Sequence, residues 1–139
     1  MLEITVQREI DGTWPVVAEH HRHGMLLPIR SEGRLDLTGE PTTEIPQLYG
    51  EQLGRALFQK NIRDAFVRAR TDEPDGLRVL LSVEPDELKI WRWEWLCGPM
   101  DAACWNFLSL DQRIRFSQYL PSLTDRAFPP LAVKIFEHF

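Results

Sequence analysis

A chain of 139 residues, 43% hydrophobic and 27% charged, can bury one sizeable core and has the make-up of an ordinary globular domain. Its net charge of -5 argues against a nucleic-acid partner, because phosphate contacts need a basic face. No apolar run approaches the roughly 20 residues that cross a bilayer, and the N-terminus lacks the apolar block of a signal peptide. Cys97 and Cys104 are too few for a disulfide framework, so a cytoplasmic protein without membrane association is the expectation. No linker or internal repeat divides the chain. It reads as a single domain over 1–139, with strands and a loop over 1–40, two helices over 44–71, and strands with a tryptophan-rich segment over 77–139.

In "MLEITVQRE", Leu2, Ile4 and Val6 share one face and Glu3, Thr5 and Gln7 the other, the period-2 pattern of a half-buried strand. Asp11-Gly12 supplies a turn, and "TWPVVAEHH" returns as a second strand that Pro15 assigns to a sheet edge. From Gly24 to Pro41 the alternation is lost, and Gly33, Gly39 and Pro41 predict a loop. Ile45, Leu48, Tyr49, Leu53, Ala56 and Leu57 repeat every 3.6 residues, which predicts a helix over 44–58 with Pro46 in its first turn. Asn61 is the expected cap of a second helix whose inner face carries Ile62, Ala65, Phe66 and Ala69.

After Glu73-Pro74-Asp75-Gly76 breaks that helix, "LRVLLSVE" predicts a central strand with Leu77, Val79, Leu81 and Val83 on one side. Asp86 and Glu87 follow Pro85 as the acidic first turn of a short helix rather than as an acid/base pair. "FLSL", "RIRFSQYL" and "LAVKIF" read as three further extended pieces. The fold class is therefore α/β, a mixed sheet of about five to six short strands with two main helices.

"IWRWEWLCG" spaces Trp91, Trp93 and Trp95 two apart, which on a strand would make one face too apolar to leave in water. The preferred reading packs those rings on the two helices of the domain, and the alternative has some of them cover another protein, because Trp and Arg dominate interface hot spots. An aromatic cage for a cation is a third possibility. Glu94 between them needs a partner if it is buried, and Arg113 and Arg115 of the later strand are the candidates.

Chemistry has little support. A cysteine nucleophile needs a histidine beside it, and nothing places His20, His21, His23 or His138 near Cys97. On an extended backbone His21 and His23 would point the same way and form a weak candidate pair of metal ligands. No third ligand follows at a recognisable spacing, so neither metal nor cofactor is expected. There is no GxxxxGK[ST], GxGxxG or HExxH, and glycine in "YGEQLGRAL" reads as a helix-packing contact.

"LGRALF", a charged helix, "GLRVLLSVEPDEL", "WEWL", "NFLSL" and "RIRFSQYL" follow one another in an order that resembles the N-terminal portion of CHAT domains. These are the caspase-like cysteine peptidase domains of prokaryotic defence and signalling proteins. Leu53-Gly54, Leu57-Phe58, Gly76-Leu77-Arg78, Glu87-Leu88, Trp93-Glu94, Leu96, Phe107-Leu108, Leu110, Arg113 and Tyr119-Leu120 carry the likeness, over roughly residues 48–120. Arg92 stands where the family has proline, and Gln118 where it has arginine. The resemblance places the family's catalytic histidine and cysteine downstream of these residues. It implies a non-catalytic CHAT-like domain, whether a fragment, a separately encoded half or a relative without the dyad, that scaffolds or partners a peptidase. A homodimer through the "LAVKIF" edge is a further expectation, and a stand-alone protein-binding module is the alternative.

Overall fold

The computed structural model describes residues 1–100 and 104–119. The protein is α/β, with a mixed sheet of five strands, a two-stranded ribbon and two main helices. Strand β1 (Leu2–Val6) lies near the middle of the sheet order β3-β2-β1-β4-β7. Its Leu2, Ile4 and Val6 are all at most 1% exposed, as their alternation predicts. Asp11 (φ 52°) and Gly12 (φ 80°) both take the left-handed conformation that a two-residue type I′ hairpin requires. That turn returns the chain as β2 (Trp14–His20), antiparallel to β1.

Two expectations for this region fail. Pro15 does not mark an edge, because β2 is paired on both sides. The Pro15 carbonyl accepts the Gln7 N–H at 2.8 Å, on the β1 side but beyond Val6, the last paired residue of β1. Within an antiparallel strand a residue's N–H and C=O point to the same neighbour, so the missing proline donor removes no ladder bond. The expected loop from Gly24 to Pro41 contains an edge strand, β3 (Ile29–Leu35). Its "IRSEGRL" carries charge at Arg30, Glu32 and Arg34, which protects an edge from pairing with other chains but hides the strand from an apolar alternation test. Gly33 is a packing site, since a Cβ there would come within 2.9 Å of Ile62 Cγ1.

Helices α1 (Pro46–Leu57) and α2 (Lys60–Asp72) cover the inner face of the sheet. α1 begins with Pro46 at its first position, where no N–H partner is lost. Its buried face is Tyr49, Leu53, Ala56 and Leu57 with Gly50 and Gly54, while Ile45 and Leu48 are exposed. α2 buries Ile62, Ala65, Phe66 and Ala69, the predicted set. Asn61 is not its cap: Gln59 holds that position, and the Asn61 amide donates to the Glu32 carbonyl at 3.3 Å, tying α2 to β3.

β4 (Leu77–Val83) runs parallel to β1 and buries Leu77, Val79, Leu81 and Val83 against the helices. A single helical turn, α3 (Asp86–Lys89), follows Pro85, and Lys89 bonds Asp86 at 2.8 Å. The ribbon β5 (Cys97–Pro99) and β6 (Trp105–Phe107) then packs on α1. "FLSL" is only in part extended, because Leu108–Leu110 close a 3-10 turn after Phe107. β7 (Ile114–Tyr119) pairs in parallel with β4 and is the outermost strand on that side among the described residues. "LAVKIF", residues 131–136, lies outside the described residues, as does His138.

Candidate partner interface

The tryptophan segment does not form a strand. Trp91 ends the turn after α3, and Trp93–Trp95 form a 3-10 turn, so the two-residue spacing does not produce a common face. The rings separate by burial instead. Trp93 is fully buried and donates its indole N–H to the Leu88 carbonyl at 2.8 Å. Trp91 is 7% exposed, stacks on Trp93 with centroids 6.0 Å apart, and meets Trp14 edge-on at 6.1 Å. Trp95 is half-buried, edge-on to Tyr49 at 5.3 Å, with the Arg92 guanidinium 4.4 Å from its centroid.

Tyr49 organises this corner. Its hydroxyl donates to Glu40 at 2.6 Å and accepts the Arg92 N–H at 2.9 Å, joining the loop before α1 to the tryptophan turn. Burial, then the bond to Glu40, pushes the phenol well above its ordinary range, so it stays protonated as that donor. Neither arginine expected to pair with Glu94 does so. Arg113 reaches Asp111 at 3.4 Å, and Arg115 is exposed on β7. Glu94 is half-buried, and its backbone carbonyl accepts the Ser109 hydroxyl at 3.4 Å.

Cys97 is fully buried where β5 meets α1. Its sulfur receives the Gln47 amide at 3.9 Å and donates to the Trp95 carbonyl at 3.7 Å. Burial, with a smaller contribution from Glu51, pushes the thiol up to about 12, the reverse of what activates a nucleophile. The histidine pair is also rearranged. β2 ends at His20, so His21 lies just past the strand and His23 in the turn that follows, and His21 faces Glu3 at 2.8 Å. No group of three His, Cys, Asp or Glu side chains able to hold a metal occurs among the described residues. Sequence reasoning gave His20 no separate role. It is fully buried opposite Leu2, with Nε2 at 3.3 Å from Glu73, beside a cavity of about 200 Å³.

The sheet has a second face, built by the alternate residues. Val17, Thr5, Ser82 and Tyr119 form one row across β2, β1, β4 and β7, and Glu19, Glu3, Leu80 and Ser117 form the next. Its centre is small and partly apolar, with Val17 6% exposed and Ser117 8% exposed, and Arg78 and Arg115 lie exposed at its margin. Both main helices lie on the opposite face. No helix among the described residues is long and apolar enough to cross a membrane. Comparison with known family models, curated proteins and solved structures returns no match.

Proposed function

We propose that this chain is a non-catalytic CHAT-like domain that scaffolds or partners a caspase-like cysteine peptidase in the cytoplasm, within a prokaryotic defence or signalling system. The observation that carries this reading is a sheet that, among the described residues, has both main helices on one face. β1, β4 and β7 form a parallel block. Parallel sheets ordinarily bury both faces under helices. Here α1 and α2 occupy one face, and the Val17–Thr5–Ser82 row lies on the other, suited to a second body of protein. Among the described residues β7 is the outermost strand on its side, and its outer edge offers the same partner, or a second copy of the chain, backbone groups to pair with. Cys97, with its raised thiol and no histidine among its hydrogen-bond partners in the described residues, is assigned no nucleophilic role.

The test mixes the purified chain with recombinant C-terminal portions of CHAT peptidases and measures complex mass by light scattering. A one-to-one complex lost in Leu80→Arg or Thr5→Arg supports the reading. Failure to associate, with second-face amides no better protected when the two are mixed, refutes it. A stand-alone binding module is the second reading, favoured by the β2–β3 loop, where Met25, Leu26 and Leu27 are 57%, 100% and 79% exposed. Such a tip can anchor a protein contact without any peptidase.

A further inference from the structure

A cavity of about 470 Å³ opens between one side of α2 from Arg63 to Thr71, the start of β4, the end of β5 with Met100, and the residue preceding β7. That size suits a small-molecule site. Its apolar lining includes Val67, Leu77, Pro99 and Met100, and three guanidinium groups, Arg63, Arg70 and Arg113, complete it. In a chain of net charge -5, such convergence of cations on one concavity is not an average property of the surface.

Among the described residues, Arg63 and Arg70 are held in place by carbonyls and rings, with no carboxylate bonded to either guanidinium. Arg70 donates to the carbonyls of Met100 at 2.9 Å and Pro99 at 3.4 Å and lies 5.9 Å from the Phe66 ring centroid. Arg63 lies 5.7 Å from the centroid of the buried Trp105. Neither has a carboxylate within 4.0 Å among the described residues. Arg113 is shared with Asp111 at 3.4 Å. Glu73, the one carboxylate of the lining among the described residues, already has its Oε2 engaged by the Met1 ammonium at 3.1 Å and by His20 at 3.3 Å. Guanidinium forks fixed by carbonyls and rings are preorganised for an oxyanion, because little side-chain freedom remains to be lost on binding.

We infer that this cavity is a binding site for a small organic anion, a carboxylate or sulfonate head on an apolar body. The head meets Arg63, Arg70 and Arg113, and the body lies against Val67 and Met100. The site sits at the N-terminal ends of β4 and β7, whereas open α/β sheets usually seat substrates at the carboxyl ends of their strands. It is therefore separate from the second sheet face and does not depend on the peptidase reading.

The experiment uses two probes with one apolar body, anilinonaphthalenesulfonate and its uncharged counterpart phenylnaphthylamine. Both are titrated into the full chain and into the double variant Arg63→Gln/Arg113→Gln, with circular dichroism confirming the fold of each. Val67→Glu serves as a second variant, placing a repelling charge in the wall from an exposed helix position. The expected result is saturable sulfonate binding by the native chain, weakened at least tenfold in either variant, with phenylnaphthylamine binding unchanged in the double variant. Isotope-labelled methionine methyls locate the probe: Met100 should shift on binding and Met25 should not. No saturable binding by the native chain, equal sulfonate affinity in native and variant chains, or a shift confined to Met25 would each overturn the inference.

Discussion

Replacing Trp93 by alanine removes the largest fully buried side chain among the described residues. Truncations of this kind cost about 3–5 kcal/mol, transfer and cavity terms together. The indole N–H bond to Leu88 is lost too, but the Leu88 carbonyl still accepts the Trp91 N–H at 3.1 Å, so no buried acceptor is orphaned. The cost therefore stays near the packing figure. Against a domain stability of about 5–15 kcal/mol it is about a fifth of the total or more. At about 4 °C per kcal/mol for a chain of this size, the melting temperature should fall by about 12–20 °C. Far-UV circular dichroism is the right assay, because removing a tryptophan alters the fluorescence baseline. Trp93→Phe keeps an aromatic ring and should cost clearly less. A Trp93→Ala protein melting within about 3 °C of the native chain would show the ring is not a packing element, and the burial argument would fail.

Gly50→Ala should destabilise by about 1–3 kcal/mol despite alanine's better helix propensity, because its Cβ would collide with the Trp95 carbonyl. Gly76→Ala, with nothing within 4 Å of the added carbon, should be neutral or slightly stabilising, and urea titration of both glycine variants measures the contrast. Iodoacetamide at about pH 8 should modify the exposed Cys104 and spare Cys97 in the native chain, since a thiol raised to about 12 stays protonated, and peptide mass mapping reads the sites. The Asp111 carboxyl is held below its usual range: burial opposes this, but the Arg113 N–H and guanidinium outweigh it. A depressed folded pKa gives stability that is present above the unfolded pKa of about 3.9 and lost as pH falls through the folded value. Asp111→Asn should therefore lower the denaturation midpoint at neutral pH and match the native chain in strong acid; an equal deficit at both would refute the linkage.

Legibility in the sequence followed the number of faces an element buries. β1 and β4 alternate, or run nearly continuous, because the sheet's inner face is fully apolar at Leu2, Ile4, Val79 and Leu81. The face of α2 emerged for the same reason. β3 did not, because this edge strand fully buries only Leu35, with Ile29 and Ser31 half-buried, and its charged Arg30, Glu32 and Arg34 stay exposed. Pro15 misled because a proline rule about ladders assumes that the neighbouring strand continues past it, and β1 ends one residue short.

The tryptophan row was misread for a different physical reason. Alternation over five residues measures spacing, and both a strand and a 3-10 turn can hold residues two apart. What decided between them was tertiary. Gly50 and Gly54 admit the backbone of residues 95–97 directly onto α1, at contact distances a flat strand carrying three large rings on one side could not reach. The chain therefore turns at Trp93, buries that ring under Leu88, and turns Trp95 toward Tyr49. The glycine pair in "YGEQLGRAL" was the available signal. Two glycines four apart on a helix whose other inner residues are Tyr49, Leu53 and Leu57 mark a backbone-to-helix contact, and the segment making it had to be one able to fold back. The arginine-lined cavity was beyond such reasoning, since Arg63, Arg70 and Arg113 come from α2 and the approach to β7 and meet only once β4 and β7 pair.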